Sequence, residues 1–193
     1  MNKSYEYWLS LLIGERPAKI LAPYKNRLCA LSKTQAEFEN LGLSSEEAQK
    51  AQAVYEIYSR LTHKKQLAHI NSSCDVAEKY MPIMRCKTQE EFWVILMNHH
   101  NDVIKEACLF KGAANAVSID PKQIFIEALA ARASNMIIMH NHPSGRCRPS
   151  RDDNMLTDTV KQAGNIIGVQ LLDHIIIGDQ CYYSYHEENK LDK

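Results

Sequence analysis

The stretch Ile-Ile-Met-His-Asn-His-Pro-Ser-Gly-Arg-Cys-Arg-Pro-Ser-Arg-Asp-Asp, residues 137–153, decides how the rest of the chain is read. The apolar run from Met136 to Met139 predicts a buried strand that delivers His140 and His142 at its end. Residues two apart on a strand point to the same side, so both imidazoles can face one ion. Pro143 and Gly145 turn the chain, and Pro149, Ser150, Asp152 and Asp153 have the composition of a helix start. A helix beginning at Ser150 places Asp153 in its first turn. Leu156, Val160 and Ile167 follow at helical spacing on the same face, which predicts a carboxylate directed inward toward the histidines. Two histidines and one carboxylate leave a coordination position for water, the makeup of a catalytic rather than a structural zinc site. Asn141, Pro143 and Ser144 are read as shaping the loop. Ser150-x-x-Asp153 also fits a helix capping box, so the acid has a structural reading beside the metal one.

Composition sets the frame. The chain has 193 residues, 45% hydrophobic and 24% charged, enough for one ordinary domain with a small extra one. A formal net charge of +0 leaves no footprint for strong non-specific nucleic-acid binding. No apolar run approaches the length needed to span a bilayer, and Leu9 to Ile13 lacks the flanks of a signal peptide. The six cysteines are scattered with no C-x-x-C pair, which suggests neither a zinc knuckle nor a disulfide framework and makes a reducing cytoplasm the simplest setting. Cys147 is read as a loop thiol.

Residues 1–62 read as helical. Tyr5, Trp8, Leu9, Leu12 and Ile13 form one apolar face, a second helix is expected over Ala18–Leu31, and Ser44-Ser45-Glu46-Glu47 starts a helix that continues to Leu61. Residues 63–71, with His63, Lys64, Lys65 and His69, read as a linker, and Ser72 or Ser73 caps the next helix. Glu91–Met97 is apolar on both alternating sets, as in a strand covered on both sides. His99 and His100 lie in the hairpin that follows. On the next strand, Val103–Lys111, Glu106 shares the more apolar face with Ile104, Cys108 and Phe110. A lone acid there is costly unless paired, hydrogen-bonded or used. Asp120-Pro121 opens a helix carrying Glu127, read as solvated. Val169–Ile177 and Tyr182–Tyr185 are the last strands, and residues 187–193 are a charged tail.

The spacing H-x-H-x7-S-x2-D resembles the JAMM signature of the JAB/MPN metallohydrolases, and His-Asn-His-Pro-Ser-Gly with Pro-Ser-x-x-Asp resembles the bacterial RadC branch of that family. The resemblance implies an α+β fold over residues 72–186. Its core is a cytidine-deaminase-like mixed sheet with flanking helices, preceded by a small all-helical region. It implies Zn²⁺ held by His140, His142 and Asp153, and a metal-activated water that cleaves amide bonds in a peptide or protein substrate. It further implies a glutamate on an upstream strand as general base, for which Glu106 is the candidate, and Ser150 as donor to the oxyanion. Counting back from Gly112 puts the family glutamate at Ala107, so Glu106 would need a bulge to reach the site. Asp173-His174 resembles the Leu-Asp-His-Ile segment of RadC proteins, and His174 reads as a supporting or core histidine. Leu41-Gly42-Leu43-Ser44 resembles a helix-hairpin-helix turn, with Ser44 where the second glycine belongs. Two other readings stand beside the hydrolase: a JAB-fold binding module without activity, and a RadC-type DNA-processing factor. A zinc nucleoside deaminase is disfavoured, because Pro-Cys-x-x-Cys does not occur and the one His-x-Glu, His186 to Glu188, lies in the charged tail.

Overall fold

In the structure, a computed structural model describing residues 5–21, 33–62, 68–85, 87–112 and 119–191, strand β1 (Glu90–Met97) is apolar on both faces because both are covered. It lies inside a five-stranded sheet of order β2-β1-β3-β4-β5, where β2 is Val103–Gly112, β3 Asn135–Asn141, β4 Gln170–Ile177 and β5 Tyr182–Ser184. Only β3 and β4 run parallel, joined by helix α7 (Arg151–Ile167), as a parallel pair requires a crossover. Phe92, Val94, Leu96, Met136 and Ile138 bury one face together with residues of α6 (Pro121–Ala130) and α7. Ile95, Met97, Ile137, Met139 and Ile175 bury the other beneath α5 (Ser73–Met84). The α+β fold with flanking helices is as expected.

Three local readings change. The inward face of α7 is the half-buried Asp153 and Leu156 with buried Thr157, Val160 and Gly164, while Ile167 is 41% exposed and does not continue it. Residues 63–67 lie outside the described residues. The rest of the expected linker is paired rather than free: the Val103 amide donates to Ala68 O at 3.0 Å, Ile70 is buried, and His69 Nδ1 lies 3.0 Å from Asp102 Oδ1. The tail is packed as far as Leu191, which joins the core under α7, and the Lys190 amide donates to Tyr185 O at 2.8 Å. Residues 192–193 lie outside the described residues.

The chain divides into two compact units, Met1–Lys64 and Lys65–Lys193. The first holds α1 (Tyr5–Ile13), α2 (Glu15–Leu21), α3 (Gln35–Asn40) and α4 (Ser45–Thr62) around Leu9, Ile13, Leu21, Phe38 and Leu43. Trp8 and Leu12, expected in that core, are 56% and 58% exposed. Of the helix expected over Ala18–Leu31, the part beyond Leu21 lies outside the described residues. Gly42 turns α3 into α4 at φ +91°, a left-handed value that favours glycine. No described helix is long and apolar enough to cross a membrane.

Candidate metal centre

Strand β3 carries His140 and His142 out of its C-terminal end, and α7 starts opposite them. Ser150 caps α7: its Oγ accepts from the Asp153 amide at 3.1 Å, and its own amide donates to Asp153 Oδ2 at 2.6 Å. The capping box and the metal reading therefore coexist in one residue. Asp153 Oδ1 lies 3.0 Å from His140 Nε2, and Oδ2 lies 3.5 Å from His142 Nε2. The three ligand atoms lie within 4.8 Å of one another.

Hydrogen-bond partners determine which nitrogens face inward. Thr157 donates its hydroxyl proton to Asp153 O at 2.6 Å, so it can only accept from His174 Nδ1 at 2.7 Å. Complete burial holds His174 well below its ordinary value, so His174 is neutral. Its Nε2 then accepts from His140 Nδ1–H at 3.0 Å, which leaves the His140 Nε2 lone pair facing the cluster. His142 Nδ1 donates to Arg146 O at 2.9 Å, leaving its Nε2 facing the cluster as well. Two lone pairs thus meet at 3.0 Å beside a carboxylate, with no proton of their own to share. Such an acceptor-only set calls for a cation, and two imidazoles with one carboxylate suit zinc. The electrostatics show the same demand for positive charge, with a proton in the cation's place. Burial alone would raise Asp153, but His140, His142 and Ser150 hold it far below the carboxylate range. Burial would lower His142, but Asp153, the Arg146 carbonyl and the charge of Glu90 raise it.

The other expected residues fall as follows. Asn141 is buried, with Oδ1 accepting from the Glu91 amide at 2.8 Å and Nδ2 donating to Gln89 O at 3.1 Å, so it fastens the head of β1 to the histidine strand. Ser144 is exposed and accepts weakly from the Arg146 amide at 3.4 Å. Glu127 pairs with Lys105 at 2.7 Å. Glu106 does not join the cluster. It sits opposite Ile95, on the face covered by α5, where it pairs with the buried Lys79, whereas His140 sits opposite Phe92 on the other face. β2 does contain bulges, at Ile104 and at Leu109, one on either side of Glu106. The bulge at Leu109 brings Phe110 to the cluster's face, and neither turns Glu106 to it. Ala107, opposite Val94, is on the cluster's face and carries no acid.

The acid the sequence reading missed is Glu90. It lies two residues before Phe92, which stacks on His140 at 6.2 Å between ring centroids, and it lines one cavity with His140 and Asp153. Period-two alternation with Phe92 could have flagged it. Which alternating set faces His140, however, depends on the β1–β3 register. Cys147, read as a loop thiol, is bonded to Cys181 in a disulfide that ties the ligand loop to the β4–β5 turn. Gly178 lets the two approach, since a Cβ there would meet Gly145 O at 2.6 Å.

Residues 70–191 match the family described as a RadC-like JAB domain. The chain is 38% identical over 154 residues to a UPF0758 protein of Staphylococcus aureus, covering 79% of this chain and 68% of the relative. It is 45% identical over 123 residues to a UPF0758 protein of Staphylococcus haemolyticus, covering 64% of this chain and 54% of the relative.

Proposed function

Because this chain belongs to the RadC-like JAB domain family, we propose that it is a zinc-dependent hydrolase of amide bonds in a peptide or protein substrate. The observation that carries the proposal is the acceptor-only cluster of His140, His142 and Asp153, two of which, His140 and Asp153, line a cavity with Glu90. Zinc there would supply Lewis acidity and bring the pKa of a bound water toward neutrality. The chain's own residues do the rest. Glu90 takes the role expected of Glu106: its carboxylate accepts a proton from the attacking water and delivers it to the departing amine as the C–N bond breaks. Ser150 accepts the Asp153 amide through a lone pair, which leaves its hydroxyl proton to donate to the oxygen that gains charge. His174 and Thr157 hold His140 in its ligating tautomer. A cytoplasmic setting belongs to the same proposal, and reductant there would reach the Cys147–Cys181 pair.

Elemental analysis of protein purified without added metal tests the centre. About one zinc per chain, lost in His140→Ala/His142→Ala, is expected from the ligand set. A peptide library then tests the chemistry: Glu90→Gln should lower cleavage by about 10²-fold or more, while Glu106→Gln should leave it intact. Zinc without any cleavage would favour the second reading, a binding module, which Ala107 on the cluster's face supports.

A further inference from the structure

The cavity beside the metal centre has more structure than metal binding needs. It measures about 360 Å³, within the range of small-molecule sites, and opens beside His140 and Asp153. Its walls are Phe92, Phe110, Ile119, Pro121, Met155 and Leu156. Met155 is 57% exposed, a large apolar side chain left at the mouth of an apolar hollow. The bulge at Leu109 contributes directly, because it is what turns Phe110 to this side of the sheet. The polar lining is one-sided in sign. Glu90, Asp152 and Asp153 are acidic, and no lysine or arginine is among the described lining residues. With Asp153 committed to the metal, Glu90 and Asp152 still make the rim negative.

We infer that this cavity is a specificity subsite that takes a bulky apolar or aromatic side chain next to the scissile amide, on a segment carrying positive rather than negative charge. The inference rests on the proposed hydrolase reading for the word scissile alone; the binding preference stands on the cavity. An aromatic ring gains from leaving water against these walls, whereas a methyl group leaves most of the volume unfilled. A carboxylate brought to the rim meets like charge in a partly enclosed space, and an ammonium group meets opposite charge.

The test is an amide-resolved NMR titration of the zinc-loaded full chain with three probes: L-phenylalaninamide, L-alaninamide and N-succinyl-L-phenylalaninamide. L-phenylalaninamide should bind about tenfold or more tighter than L-alaninamide, with shifts centred on Phe110, Met155 and Leu156. It should bind about threefold or more tighter than the succinylated probe, by a margin that shrinks with salt. Thr159→Trp, which fills the cavity from the exposed side of α7, should abolish L-phenylalaninamide binding while zinc content is unchanged. Met155→Lys should narrow the gap between the cationic and anionic probes. Equal affinity for L-alaninamide, equal affinity for the succinylated probe, or full binding to the zinc-loaded Thr159→Trp protein would overturn the inference. Cleavage is not the readout, so the two readings fail separately. Selective binding without hydrolysis of any peptide removes the hydrolase and keeps the subsite. Hydrolysis without selectivity does the reverse.

Discussion

One hydroxyl proton fixes the tautomers of two histidines. Because Thr157 donates to Asp153 O, it must accept from His174, and the sequence of donors runs outward to His140. Thr157→Val keeps the shape and removes the acceptor, so zinc affinity should fall by about tenfold or more, as for other partners that orient a ligand. Thr157→Ser should retain it. Competition against a chromophoric chelator measures both, and equal affinity in wild type and Thr157→Val would end the argument. Glu91 plays a different part, in stability. Burial would raise its carboxyl, but Lys87, the Trp93 indole and Lys111 outweigh burial and hold it below its ordinary 4.5. A depressed acid stabilises the fold fully above the unfolded value and loses that contribution as pH falls through the folded one. Glu91→Gln should therefore cost about 1–3 kcal/mol near neutrality and less in acid. Melting curves between about pH 7 and pH 3 should converge for the two proteins, and parallel curves would refute it. At this scale the cluster of proposed ligands was legible, because strand period and helix spacing suffice to bring His140, His142 and Asp153 together. The acid proposed as base was not legible. Glu106 and Glu90 both sit on strands that look apolar on either face, and only the register places one beside Lys79 and the other beside His140.

At the scale of elements, β1 to β5, α5, α6 and α7 were legible from alternation, caps and apolar runs. What was not legible was where regularity breaks. The bulge at Leu109 has no composition signal of its own, yet it decides which β2 side chains see the centre. The Cys147–Cys181 disulfide escaped a reading based on spacing, because its cysteines are 34 residues apart and become neighbours only when β4 returns beside β3. That disulfide acts with hydrogen bonds from the His142 amide to Ile177 O at 3.0 Å and from the Asp179 amide to Gly145 O at 2.9 Å. Closing a loop of that length should stabilise the fold by about 3–4 kcal/mol in the chain-entropy view. Reductant should thus lower the melting temperature of wild type and leave a Cys147→Ala/Cys181→Ala protein unmoved. A wild-type melt indifferent to reductant, in protein shown by mass to be oxidised beforehand, would contradict this.

At the scale of the whole molecule, the question is whether the helical unit brings the second unit to nucleic acid. The turn at Leu41–Ser44 resembles one that holds phosphate on free amides, but here the amides are occupied. Leu41 donates to Glu37 O at 3.3 Å, Gly42 to Glu39 O at 2.9 Å and Leu43 to Phe38 O at 3.2 Å. Ser44 donates to Glu47 Oε2 at 2.7 Å, so a carboxylate already stands where an anion would dock. Arg16, a cation beside the turn, is engaged as well: it bonds Gly42 O at 2.8 Å and Glu47 at 2.5 Å. A phosphate would have to displace Glu47 against like charge, and a chain of formal net charge +0 supplies no general attraction to offset this. The full chain should therefore show no saturable binding to a fluorescent duplex of about 20 base pairs, even at about 50 mM salt, where phosphate contacts are strongest. Fluorescence anisotropy measures this directly. Micromolar binding with a steep salt slope would mean that several cations outside this turn face one groove. It would restore the DNA-processing reading at the expense of the turn, and Glu47→Gln would then leave the affinity unchanged.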